Sequence, residues 1–192
     1  MLFISLNKID VFLHNEIDYY LKLFKEVVTD KKLIEKAQEK YQKDLATGIS
    51  HNLNLLTSDK KQITIEELLK KKKGKVLYID FWASWCRPCI EEMKYSKNHV
   101  QTYKNKNLEI LFLSLDDNFE NWNKASERLE ISKIENSLKI VNPEISTFIK
   151  EHKLYTIPRY MIFNKQGVLI NDNAPRPSDL KISKVFDELL KE

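Results

Sequence analysis

Residues 80–89 read DFWASWCRPC and hold the residue types most able to do chemistry in this chain. Cys86 and Cys89 are its only cysteines, separated by Arg87 and Pro88. A C-x-x-C pair can serve a zinc site, a structural crosslink or a redox dithiol. Zinc needs four ligands, normally a second such pair or two suitably spaced histidines. Here His14, His51, His99 and His152 are scattered. A crosslink closing so short a loop gains little entropy and is easily reduced. The redox dithiol is therefore the favoured reading, with no metal and no cofactor beyond the cysteine pair itself.

The placement supports exchange chemistry. The pair follows the apolar run KVLYIDFWA, whose near-continuous hydrophobicity marks a strand covered on both faces. A helix is expected from about Cys89 through Tyr103. Cys86 then sits at or near its N-cap, where backbone N–H groups and the dipole favour a thiolate. Arg87 adds positive charge, and Pro88 suits the first turn because its missing N–H is not needed there. In this reading Cys86 attacks a partner disulfide and Cys89, one turn on, resolves the mixed disulfide. Trp85 either presents an apolar surface to a partner or simply packs. Asp80, alone in an apolar strand, should have a raised pKa. It either takes a proton from Cys89 or is a hydrogen-bonded structural acid. Glu91 and Glu92 lie on the following helix, and one of them could face the site.

The positioning elements read as follows. Residues 1–48 look helical, with Ile17, Leu21, Phe24 and Val28 and then Ile34, Ala37, Tyr41 and Leu45 at helical spacing. Thr29–Asp30 breaks the two helices and Gly48 stops the second. Their apolar faces would pack on the main domain or on a second copy of the chain. Residues 49–192 form the main domain. It opens with a short strand, a polar turn at Ser58–Gln62, and a second strand leading into a helical turn. Lys70–Lys73 reads as a solvated helix end, with a phosphate or membrane patch as the alternative. After KVLYIDFWA and its helix, residues 108–116 (LEILFLSLD) form a second buried strand, hence a parallel β-helix-β unit. A helix spans Asn118–Leu129. Asn142 and Pro143 look like an N-cap and a first-turn proline opening a helix to about Lys153. Residues 159–164 and 167–170 form an antiparallel hairpin. Ser178 caps a last helix, with Asp179 in its first turn. The order predicts an α/β fold, a mixed sheet with helices on both faces.

The chain has 192 residues with 32 basic and 28 acidic side chains, a net charge of +4 and only three glycines. That charge is too evenly spread to point to nucleic acid. No stretch of 18 apolar residues is present, so no transmembrane segment is expected. The start, MLFISLNKID, lacks the basic region and long apolar core of a secretory signal. This leaves a cytoplasmic protein, or an exported one whose signal lies outside this chain.

DFWASWCRPC closely matches the active-site motif of the thioredoxin superfamily. The wider GKVLYIDFWASWCRPCIEEM resembles its TlpA/ResA-type branch, thiol-disulfide oxidoreductases of the bacterial cell envelope. YTIPRYMIFNKQGVLI carries a second signature. The resemblance covers roughly residues 50–192, and NDNAPRPSD resembles a stretch of Bacteroidetes-type members.

The resemblance implies a thioredoxin-like fold, with the helical extension outside it. It implies a cis Pro158, preceded by Ile157, facing the dithiol and shaping a shallow binding face with Trp85. Asp80 matches thioredoxin's buried acid, but the lysine that partners that acid is replaced by Phe112, so Asp80 should be still harder to ionise. Glu92 matches an acid of the branch, although the proline expected two residues later is Lys94. The implied partners are protein disulfides or dithiols and an upstream reductant. The implied work is reduction in the envelope, such as cytochrome c maturation. Two rival functions stay beside it. A peroxiredoxin-type peroxidase would need a Pro/Thr-containing loop before its cysteine, where this chain has FWASW. A metallochaperone would need wider cysteine spacing and a nearby histidine.

Overall fold

The computed structural model describes residues 28–36, 53–132 and 136–191. A mixed seven-stranded sheet in the order β2-β1-β5-β4-β3-β6-β7 forms its centre. The strands are β1 (Asn54–Leu56), β2 (Gln62–Thr64), β3 (Val76–Trp82), β4 (Leu108–Ser114), β5 (Ser137–Ile140), β6 (Arg159–Phe163) and β7 (Leu169–Asn171). The helices are α1 (Ile65–Lys71), α2 (Arg87–Thr102), α3 (Phe119–Arg128), α4 (Thr147–Glu151) and α5 (Lys181–Leu189).

Strand β3 is buried along its whole length, as its apolar run requires. It pairs in parallel with β4 and antiparallel with β6. The β3–α2–β4 unit and the β6–β7 hairpin match the expectation, with Gly167 at φ +81° allowing the hairpin turn. Thr64 and Glu67 form a capping box that starts α1, and Lys70 and Lys71 occupy its last turn. Lys72 continues inward to pair with Glu109 at 2.6 Å. The lysine run is thus a helix end with one structural ion pair. The helix expected over Asn118–Leu129 is α3, and Asn118 proves to be its N-cap, accepting from the Glu120 and Asn121 amides.

Alternation along β3 divides the core. Val76, Tyr78 and Trp82 face one layer, with Cys86, Cys89 and Met93 of the α2 region and Ile182 and Phe186 of α5. Leu77, Ile79 and Phe81 face the other, with Ile65 and Leu68 of α1 and Phe148 and Ile149 of α4.

Two expectations are corrected, and one strand is added to those the sequence suggests. Residues 137–140 form a strand, β5, parallel to β4 and antiparallel to β1. Its charged Lys139 hides the pattern in so short a segment. The helix expected from Asn142 begins only at Thr147, capped by Ser146. Asn142 instead accepts from the Asn54 amide at 2.7 Å and ties the end of β5 to β1. The last helix begins at Lys181, with no side-chain cap at Leu180. Ser178 does not cap it, because its hydroxyl and amide both serve Glu92.

Of the N-terminal extension, the structure describes residues 28–36. The helical turn over 31–36 starts directly after Asp30, whose carboxylate accepts from the amides of Lys32 and Leu33. That is where the second of the two expected helices would begin, while the helix expected before Thr29 lies outside the described residues. The other helix positions named for residues 1–48, and the choice between packing and self-association, lie outside the described residues.

Candidate active site at the start of helix α2

The end of β3 carries the chain straight into the dithiol. Cys86 is the N-cap of α2, with Arg87 and Pro88 as its first helical residues. Cys86 and Cys89 are joined as a disulfide, and the Cys89 N–H donates to Cys86 Sγ at 3.3 Å. Both cysteines are largely covered, Cys89 completely, whereas Trp85 beside them is 68% exposed. Arg87 is 90% exposed and pairs with Glu91 at 3.0 Å, one helical turn along. Its charge is therefore shared with an acid and with solvent, which weakens the effect on Cys86 expected from sequence.

Phe81 pairs with Arg159, so the antiparallel start of β6 lies at the same sheet end as the dithiol. The residue before it, Pro158, follows a cis Ile157–Pro158 bond. Ile157 packs against the layer that contains both cysteines. Tyr155, three residues before the proline, is 71% exposed.

Below the dithiol lies a buried polar cluster. Asp80 is fully buried and accepts from Ser96 of α2 at 2.8 Å through one oxygen. Burial is the main reason its pKa is pushed up to about 7. The Ser96 hydrogen bond opposes the shift and the Glu92 charge adds to it. Phe112 stands directly beside Asp80 on β4, so no lysine partners the acid there. Tyr160 stands beside it on β6. Tyr78 and Tyr160 are stacked, with centroids 5.4 Å apart. Burial drives both phenol pKa values well above the ordinary range, and the nearby carboxylates reinforce this.

Glu92 is buried within α2 and accepts from the Ser178 amide at 3.0 Å and its hydroxyl at 2.8 Å. Of the two neighbouring acids, Glu92 therefore faces inward and Glu91 outward. The segment NDNAPRPSD closes this side. Tyr78 donates to the Pro175 carbonyl at 2.7 Å, the Ala174 amide bonds the Tyr160 carbonyl at 2.9 Å, and His99 contacts the Pro177 carbonyl at 2.8 Å. The loop walls the acid cluster from solvent.

Two residues of this site escaped the sequence reading. Tyr160 looks like an ordinary strand aromatic until the register places it beside Asp80. Asp116 is the other. Its carboxylate accepts from the Ser84 amide at 2.9 Å, the Ser84 hydroxyl at 2.5 Å and the Ser114 hydroxyl at 2.7 Å. It thereby fixes the loop between β3 and Cys86. A buried acid at the end of the LFLSLD run, parallel to the one in β3, was the available signal. Among the described residues no group of three or more His, Cys, Asp or Glu side chains is arranged to hold a metal ion.

Residues 74–169 match the family model for thioredoxin-like proteins. The chain belongs to the thioredoxin-like family. Its likeness within that family is to TlpA/ResA-type members. The thiol-disulfide oxidoreductase ResA of Bacillus thuringiensis subsp. konkukian is 26% identical over 119 residues, which are 62% of this chain and 65% of that protein. The chain thus spans slightly less than two thirds of the length of that curated relative. A Bacteroides vulgatus protein assigned as a thiol-disulfide oxidoreductase is 30% identical in its solution structure, with TM-score 0.62, covering 72% of this chain and 86% of that one. A crystal structure from the same organism, with the same assignment, is 26% identical with TM-score 0.60, covering 71% and 90%. The thioredoxin-like fold expected from the motif is therefore the fold observed. No described helix is long and apolar enough to cross a membrane.

Proposed function

We propose that this protein is a thiol-disulfide oxidoreductase that exchanges its Cys86–Cys89 pair with protein partners and acts as a reductase of the cell envelope. The observation that carries the reading is the Cys86–Cys89 disulfide at the first turn of α2, with Cys86 at the N-cap and its sulfur accepting the Cys89 amide. A thiolate at Cys86 would be favoured by that N–H group and by the helix N-terminus.

In the reductive half-reaction, the Cys86 thiolate attacks a partner disulfide. A Cys86–partner disulfide forms and the first partner thiolate leaves. Cys89 then loses its proton to the Asp80 carboxylate, and its sulfur attacks Cys86. The Cys86–Cys89 disulfide forms and the second partner thiolate leaves. Two electrons have passed to the partner, and a dithiol donor must return them. An acid with a pKa near neutrality suits this transfer, because it changes protonation state close to the working pH. Pro158, Ile157 and the exposed Trp85 form the face against which the partner chain lies. Pro88 shapes the first turn, Arg87 borders the face, and Glu92 acts from beneath by holding the loop at Ser178. The envelope location and the reductase direction are supported by the likeness to ResA-type proteins.

The test is trapping and equilibration. Cys89→Ser should accumulate a mixed disulfide between Cys86 and a model disulfide protein, Cys86→Ser should form none, and glutathione titration should give a potential in the reducing range. Absence of the trapped species in Cys89→Ser would defeat the exchange mechanism. A potential near that of strong oxidants would defeat the reductase direction alone.

A further inference from the structure

Asp80 lies between two register partners, Phe112 on β4 and Tyr160 on β6. The groups that face it are therefore few. From α2 come Ser96, which donates to one carboxylate oxygen, and Glu92, whose oxygens are engaged by Ser178. Cys89 precedes Ser96 by two helical turns on the same α2 face. Tyr78, on β3, donates to the Pro175 carbonyl. Arg176, on the covering loop, exerts its charge on Tyr160. The Asp80 Oδ1 atom and the Tyr160 hydroxyl are both buried and have no hydrogen-bond partner within the protein. A fully buried carboxylate with one satisfied oxygen is costly to ionise, and a buried phenol normally finds an acceptor.

We propose that Tyr160 is the positioning residue for Asp80: its hydroxyl donates, over one bridging water, to Asp80 Oδ1 and so stabilises the carboxylate that receives the Cys89 proton. The inference rests on the exchange mechanism above, and on the register that sets the two side chains side by side across β3 and β6. Cross-strand neighbours on one face stand about 5 Å apart at Cβ. The phenol oxygen stands further from the backbone than the aspartate carboxyl, and a water between the two would have a polar partner on each side. Tyr160 keeps its own proton throughout, because burial and the two carboxylates oppose its ionisation. Its part is to supply the hydrogen bond that Phe112 cannot. Trp82 Nε1 is also buried without a partner on this layer, but its β4 neighbour is Ser114, one strand step nearer the dithiol.

The experiment follows the Asp80 carboxyl carbon by 13C NMR across pH 4–10 in the oxidised protein. It adds the pH profile of thionitrobenzoate release from a Cys86 mixed disulfide, which reports attack by Cys89. In Tyr160→Phe the Asp80 midpoint should rise by about one pH unit, the loss of one charge-assisted hydrogen bond. The acid limb of the release profile should move with it. Trp82→Phe should leave the midpoint in place, and in an Asp80→Asn background Tyr160→Phe should have no further effect. In the unmodified protein the Tyr160 ring carbon bonded to oxygen should report the Asp80 titration. An unchanged Asp80 midpoint in Tyr160→Phe, a flat Tyr160 signal, or a shift produced by Trp82→Phe alone would each overturn the proposal. If Asp80→Asn keeps the original release profile, the proton role of Asp80 fails, and the NMR titration still decides whether Tyr160 sets its charge.

Discussion

The two faces of β3 are built to different rules. One presents Ile79 and Phe81 to an apolar layer with Leu111, Leu113, Met161 and Phe163. The other presents Tyr78 and Asp80 beside Tyr160, under Ser96 and Glu92, with the dithiol at its end. A single strand thus borders a dry core on one side and, on the other, gives Tyr78 and Asp80 to the buried polar cluster of the site. The pleat alone makes this division, since alternate residues point to opposite faces. The dry face can hold the sheet rigid while the polar face carries the cost of a hard-to-ionise acid.

The comparison breaks most visibly if a change on the dry face alters the chemistry. Leu111 is fully buried there. Leu111→Ala should destabilise the protein by about 2–5 kcal/mol in urea unfolding, from lost transfer energy and the cavity left behind. The reduction potential of the cysteine pair should stay within about 10 mV, because both redox states lose the same core contacts. A larger shift in potential would show that the two faces are not separable.

A slightly smaller effect is expected on the polar face, and with the opposite sign at high pH. The Asp80 pKa in the fold, about 7, lies above its ordinary value of 3.8. Between those values the folded protein keeps a proton that the unfolded chain has lost. The stabilising contribution is therefore complete below pH 3.8 and declines as pH rises, until it is gone above about pH 7. Asp80→Asn cannot titrate and should remove this decline. Relative to the unmodified protein, the variant should gain about 2–4 kcal/mol between pH 4 and pH 8 in the oxidised form. Parallel stability curves for the two proteins across that range would refute the buried-charge account.

How much of this was legible beforehand follows from the range of each interaction. Cys86, Cys89 and Asp80 declare themselves locally, through C-x-x-C spacing and a charge inside an apolar run. The central strands declare themselves because burial on both faces leaves no alternation to misread. Residues 137–140 did not, since Lys139 interrupts a four-residue strand whose existence depends on β1 and β4 offering it partners. Asn142 and Ser178 carry sound capping chemistry, yet each is claimed by a distant group, Asn54 in one case and Glu92 in the other. Tyr160 and Asp116 became visible only with strand register and loop geometry. Local rules propose a partner for each polar group, and the fold decides among the competing ones.

The smallest effect concerns Arg87, where sequence and geometry point apart. A cation next to Cys86 should lower the thiol pKa and make the pair less reducing. In the structure the guanidinium lies out in solvent and faces Glu91 across one helical turn. An exposed pair of that kind is screened by water and salt and contributes little. The helix N-terminus and the Cys89 amide remain when Arg87 is removed, and they act on the sulfur at contact distance. Arg87→Gln should therefore raise the Cys86 thiol pKa by only about 0.3 units, as read from the thiolate absorbance of the reduced protein. The small shift should shrink further in 1 M salt, where screening shortens the reach of an exposed charge to about 3 Å. A shift of a full unit that survives high salt would mean the arginine turns toward the sulfur in the reduced state, and that the charge next to the dithiol outweighs the helix that carries it.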